Sequence, residues 1–166
     1  VGASGDLAPL SHIALCLIGE GDVEFGGKVV RSEFAIDQIG KKAVVLKAKD
    51  GLALINGTAV MAALGSLALY EAKRVVKIAD IATAMTLEAV RGTKRAYDYD
   101  ISLLKPHPGQ LAVSSNLNKL LEGKSEIGDS HKDCGKVQDP YSLRCVPQVH
   151  GAIRQTLKHA EEVLNY

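Results

Sequence analysis

Apolar residues recur at helical spacing along most of the chain, and the intervals between the runs hold the glycines and polar residues that end helices. Leu7 to Ile18 is the first run; Pro9 fits its first turn, and Gly19 and Gly21 stop it. Val23 to Val30 then alternates around Gly26-Gly27, the pattern of a small hairpin. Ser32 is placed to cap a helix that runs through Ile39. Lys42 to Ile55 shows no period and reads as irregular, with a turn at Lys49-Asp50-Gly51 ahead of the loop that bears Asn56. From Thr58 to Leu69 nearly every position is apolar, which predicts a helix covered on all sides. Ile78, Ile81, Ala82, Met85 and Ala89 carry the spacing on to Arg91, with Gly92 at the expected C-terminal position, so that the two stretches can form one bent helix. His107-Pro108 opens a further helix whose Val113, Leu117, Leu120 and Leu121 share a face and which Gly123 ends. Lys124 to Val137 is polar and reads as a mobile loop. The last helix is predicted to bury the stripe Ile153, Leu157, Ala160 and Leu164 and to expose Arg154, Lys158 and Glu161.

Composition sharpens this picture. A hydrophobic fraction of 46% with 4% aromatic residues and no Trp suits packed helices better than a sandwich, so the class is mainly all-α. The 166 residues fit a single segment, 1–166. Twenty basic residues stand against 19 acidic ones, and a net charge of +1 offers no basic field for nucleic acid. Leu52 to Tyr70 is interrupted by Asn56, Gly57, Thr58, Gly65 and Ser66, which argues for a buried helix and against a membrane span. Three cysteines make no disulfide framework, and with no leader ahead of Val1 the cytoplasm is the expected compartment. The start at Val1, without Met, is expected of a fragment. An almost wholly apolar helix in so short a chain points to a larger chain or an oligomer around it.

Candidate chemistry is concentrated at Ala3-Ser4-Gly5, directly ahead of the first helix. If the Gly5 nitrogen attacks the Ala3 carbonyl, whose oxygen leaves as water, and Ser4 loses its hydroxyl as a second water, the backbone closes into a 4-methylidene-imidazole-5-one ring (MIO), a carbon electrophile that ordinary side chains do not supply. The plainer alternative is a flexible turn with Ser4 or Asp6 as N-cap. A serine nucleophile elbow fits neither the spacing nor the absence of a preceding strand.

Three blocks occur in register: Gly2-Ala3-Ser4-Gly5-Asp6-Leu7-Ala8-Pro9-Leu10, Gly51 to Thr58, and Val137-Gln138-Asp139-Pro140-Tyr141-Ser142-Leu143-Arg144-Cys145 with Pro147 to Ala152. Together they resemble the aromatic amino acid ammonia-lyases, most closely the branch that acts on histidine, through essentially all of the chain. The resemblance implies a helix-bundle fold with a small hairpin, part of a larger ammonia-lyase fold, and a homotetramer whose active sites draw on several subunits. It implies elimination of ammonia from L-histidine to give trans-urocanate; phenylalanine or tyrosine ammonia-lyase or aminomutase activity is the alternative. By the same resemblance Ala3, Ser4 and Gly5 form the MIO, Asp6 supports its formation, and Tyr141 is catalytic. Asn56, Gln138 and Arg144 would bind substrate, Arg144 as the clamp on its carboxylate. Tyr141 and Arg144 are three apart, so a helical turn would face both to one pocket, with Gln138 one turn earlier. The family's other catalytic tyrosine and its substrate-choosing histidine lie upstream of Val1, and a glutamate that contacts the imidazole lies beyond Tyr166.

Two rival readings remain. His131, Cys134, Cys145 and His150 offer four zinc-type ligands at a spacing that fits no common module, so no metal is expected. A non-catalytic helical assembly fragment would keep the fold and never form the ring. His12 reads as an interior histidine and His159 as solvent-facing.

Overall fold

Helices make up 62% of the computed structural model, and the one sheet among the described residues is a two-stranded hairpin, as an all-α class with a small hairpin requires. The structure describes Gly2 to Tyr166; Val1, the first residue of the expected 1–166 segment, lies outside the described residues. The chain forms two compact units, one ending at Gly65 and one starting at Ser66.

In the first unit α1 spans Ala8–Leu17, with Pro9 in its first turn. Leu7 is its N-cap, so neither Ser4 nor Asp6 holds the capping position, because the chain between Ala3 and Gly5 is still bending. Strands β1 (Asp22–Phe25) and β2 (Lys28–Arg31) pair antiparallel with Val23 opposite Val30. Gly26 and Gly27 have φ of +59° and +75°, the two left-handed positions that such a tight turn demands. Helix α2 spans Ser32–Gln38. Ser32 is not its cap: Arg31 stands there, and the Ser32 N–H is engaged by the Gly21 carbonyl at 3.1 Å, which continues the hairpin pairing into the helix. The predicted irregular stretch also ends in a helix, α3 (Asp50–Ile55), packed on α1. Lys49 at φ +73° makes the turn, and the Asp50 carboxylate reaches back to accept the Lys47 N–H at 2.8 Å.

Helix α4 (Ala59–Ala89) is a single helix of 31 residues. It ends two residues before the predicted Arg91, in a Schellman turn: the Gly92 N–H bonds the Leu87 carbonyl at 2.7 Å and the Arg91 N–H bonds that of Glu88 at 3.0 Å. Arg91, not Gly92, takes the left-handed conformation, at φ +54°. A 3₁₀ turn at Lys94–Tyr97 leads to α5 (Tyr99–Leu103), α6 (Pro108–Leu120), α7 (Glu126–Asp129), α8 (Tyr141–Arg144) and α9 (Val146–Leu164). The presence of α7 corrects the expectation of plain loop; Ser125 caps it by accepting the Gly128 N–H.

The second unit's core joins Ala84 and Leu87 of α4 with Tyr97, Val113 and Leu117 of α6, and Val146 of α9. Helices α6 and α9 cross at Gly109 and Gly151, where a Cβ on either glycine would run into the other's backbone. The buried side of α9 differs from the predicted stripe. Ile153 and Leu164 are exposed, whereas Arg154 and Glu161 are partly buried. The cause lies on α4: Asp80 is fully buried and accepts from His150 Nδ1 at 2.8 Å, Arg154 Nη2 at 2.5 Å and Asn116 Nδ2 at 2.8 Å. A buried carboxylate needs such partners, so α9 turns Arg154 and His150 inward.

Much of α4 is bare. Leu64, Leu67, Tyr70, Ile78 and Met85 are exposed, so the cover expected around this helix does not come from within the chain. Residues Asp50–Ala89 hold an 18-residue window of mean hydropathy 1.8, long and apolar enough to cross a membrane, despite the interruptions noted in the sequence. The buried central helix of a larger assembly has the same length and composition.

Candidate functional site

The small residues at the start of the first unit form a bent segment. Ala3, Ser4 and Gly5 are three successive bends, with Ser4 and Gly5 exposed. A Cβ built at Gly5 would meet nothing within 4 Å, so the space on that side of the residue is open. A backbone already folded over these residues, free of crowding, fits the closure that an MIO needs. Asp6 follows directly, and its carboxylate accepts the Ala8 N–H at 3.2 Å in the first turn of α1, where the helix dipole favours an anion. Asn56 is the exposed C-cap of α3, with extended backbone angles, in the short link between α3 and α4.

The second unit holds the other sequence-predicted residues. Tyr141 and Arg144 lie on the single turn of α8 and do face the same way: the guanidinium carbon is 5.4 Å from the centre of the Tyr141 ring. Gln138 is exposed but does not occupy an earlier helical turn. Pro140 is the N-cap of α8, and it disfavours the helical region for Asp139 just before it, so the helix cannot reach back to Gln138, which lies outside any helical turn. Ala3, Ser4, Gly5, Asp6 and Asn56 thus belong to the first unit, and Gln138, Tyr141 and Arg144 to the second.

Three residues missed by sequence reasoning fasten α8. Asp139 is buried, and its Oδ2 accepts the Thr93 N–H at 2.6 Å while Lys136 Nζ donates to Oδ1 at 3.2 Å. Its carbonyl oxygen accepts from Arg144 Nε at 2.9 Å. Tyr97, fully buried, donates its hydroxyl to the Leu143 carbonyl at 3.0 Å. Burial, and then the negative charge of Asp139, push the Tyr97 phenol up to about 12. Tyr141 is also raised above the ordinary phenol value, first by its hydrogen bond with Cys145, then by electrostatic interaction with that side chain and by desolvation, with the Arg144 cation pulling the other way. Nothing periodic marks Asp139, Tyr97 or Thr93; the one signal was an acidic residue set between Gln138 and Pro140.

The histidines of the alternative zinc set have other partners. His131 places Nδ1 2.7 Å from the Ile127 carbonyl and Nε2 3.0 Å from that of Gly92, and His150 bonds Asp80. No group of three or more His, Cys, Asp or Glu residues among the described residues could hold a metal ion. His12 is exposed on α1, against the expectation of an interior site, and His159 is exposed as expected.

The family described as aromatic amino acid lyase matches residues 1–166. A histidine ammonia-lyase of Sorangium cellulosum (strain So ce56) is 55% identical over 164 residues, which is 99% of this chain and 32% of that protein. Among solved structures, a histidine ammonia-lyase from Trypanosoma cruzi superposes with a TM-score of 0.78 at 37% identity, covering 99% of this chain and 30% of the other. The phenylalanine aminomutase of Pantoea agglomerans gives 0.83 at 31% identity, covering 99% and 35%. The chain therefore spans about a third of the length of the curated relatives it matches, 32% for the Sorangium protein. Matched over its whole length, and folded as its solved relatives are over the same stretch, this chain belongs to the aromatic amino acid lyase family.

Proposed function

We propose that the chain is the MIO-bearing and central-helix part of a histidine ammonia-lyase, which eliminates ammonia from L-histidine to give trans-urocanate. The observation that carries this reading is the 55% identity with the Sorangium histidine ammonia-lyase across nearly every residue. The uncrowded bend at Ala3-Ser4-Gly5 supports the assignment of the cofactor to those residues. Once formed, the MIO supplies an electrophilic carbon that makes the substrate amine a leaving group.

The remaining residues bind, orient and move protons. Arg144 grips the substrate carboxylate, for which its planar donors are suited, and Asn56 and Gln138 add amide donors and acceptors. Tyr141, a phenol and so protonated at neutral pH, has a proton to donate to the departing nitrogen. Asp6 supports ring formation as an anion held at the start of α1. The bare apolar side of α4 suits packing against further copies in a homotetramer, and the expected setting is the cytoplasm, with neither membrane nor nucleic acid as a partner.

A second reading, an aminomutase, is favoured by the TM-score of 0.83 with the Pantoea enzyme. An enzyme of the relatives' full length carrying this chain decides between them when it is offered L-histidine, L-phenylalanine and L-tyrosine separately. Release of ammonia and urocanate from histidine is expected. No turnover of histidine refutes the proposal, and a β-amino acid product from phenylalanine or tyrosine establishes the aminomutase.

A further inference from the structure

We propose that Asp139 is the positioning residue of the carboxylate grip, holding Arg144 so that only the outer, two-nitrogen edge of its guanidinium meets the substrate. The inference rests on the reading of Arg144 as the carboxylate ligand.

Asp139 cannot act on substrate itself. It is 3% exposed, and both carboxylate oxygens are engaged, one by the Thr93 N–H and the other by Lys136. The contact with Thr93 is 2.6 Å, the short length of a hydrogen bond to a charged acceptor. Thr93 is the end of an unusually well-fixed corner. Its two predecessors close the Schellman turn of α4, and they also hold the chain that leads to the site: Lys136 Nζ donates to the Arg91 carbonyl at 3.4 Å, and His131 Nε2 lies 3.0 Å from that of Gly92. Three successive corner residues, Arg91, Gly92 and Thr93, thus fasten Lys136, His131 and Asp139 respectively. Asp139 is the last of these anchors before α8. On the far side of Tyr141 the buried Tyr97 hydroxyl holds the Leu143 carbonyl.

Fixing Asp139 fixes Arg144. The guanidinium donates Nε–H to the Asp139 carbonyl and lies against the Tyr141 ring, so one donor and one face are already taken. What remains is the edge formed by Nη1 and Nη2, which offers two parallel N–H groups to a carboxylate. Without the Asp139 anchor the carbonyl would still be present but no longer held in place, and the guanidinium would have to be ordered on each binding event.

The test uses the full-length enzyme and two competitive inhibitors, urocanate and its carboxamide, whose Ki ratio reports the preference for the acid. Asp139→Ala is expected to raise KM and to lower that ratio by about tenfold, comparable to the loss of one charge-assisted hydrogen bond. Asp139→Asn keeps an acceptor for Thr93 and should stay within about threefold of the parent. A lower kcat or a smaller yield of folded enzyme with the ratio unchanged would show a structural role alone and overturn the proposal. If Asp139→Ala does not fold, Lys136→Met loosens the same carboxylate and should lower the ratio in the same direction; an unchanged ratio overturns the proposal there too. A parent enzyme without any preference for the acid removes the grip and the proposal with it. Failure with histidine alone changes only the substrate, and the ratio is then read with the unsaturated acid and carboxamide of the amino acid that is turned over.

Discussion

Arg144 gives one donor, Nε–H, to the Asp139 carbonyl and lays its guanidinium on the Tyr141 ring. Truncation to Ala in the full-length enzyme should therefore weaken binding of the amino acid, at a cost of about 3 kcal/mol in kcat/KM. Kinetics close to the parent's would contradict its role. Tyr97 makes a different prediction. Its phenol ionises near pH 10 in the unfolded chain and near 12 in the folded one, so the folded state keeps a proton that the unfolded state has lost. The contribution is complete below pH 10 and is lost as pH rises from 10 to 12, by at most ~3 kcal/mol. Denaturation midpoints across that window should fall more steeply for the parent than for Tyr97→Phe; parallel curves would refute the assignment. Ala3, Ser4, Gly5, Asn56, Tyr141 and Arg144 were candidates that the sequence alone could offer, because each sits inside a compact motif. Asp139, Tyr97 and Asp80 were not, because their partners Thr93, Leu143 and His150 lie 46, 46 and 70 residues away, and no local pattern carries such a pairing.

Among the elements, those governed by local rules were the readable ones. The Gly26-Gly27 hairpin needs only a turn and alternation, and α1, α4 and α6 follow from apolar spacing with Pro and Gly at their ends. Helix α9 shows where that rule stops: its apolar stripe pointed one way, but the buried carboxylate on α4 drew Arg154 and His150 to the inside. Burying that charge unpaired costs more than leaving Ile153 in water, so electrostatics set the rotation of the helix. The α6–α9 crossing is equally nonlocal, since it depends on glycines 42 positions apart in the numbering, Gly109 and Gly151. Gly151→Ala places a methyl against the Gly109–Gln110 backbone and should lower stability by about 2 kcal/mol through overpacking. An unchanged unfolding midpoint would mean that the helices do not touch as described.

For the whole molecule the telling feature is apolar surface without cover. A chain that matches 32% of its Sorangium relative and leaves Leu64, Leu67 and Tyr70 exposed along α4 has a face that other protein can bury. If the bare face of α4 packs copies into the proposed homotetramer, Leu64→Glu with Leu67→Glu in the full-length enzyme should shift the sedimentation profile towards smaller species. A tetramer that survives both charges would place the interface elsewhere. Substrate choice was the least legible property, because neither spacing nor composition singles out a residue that would contact the substrate side chain. The central claim is that Ala3, Ser4 and Gly5 become an electrophile, and intact-peptide mass spectrometry of the mature full-length enzyme tests it most directly. The peptide spanning these three residues is predicted to be lighter than its sequence by the mass of two waters; a peptide of unaltered mass from the active enzyme would contradict the account.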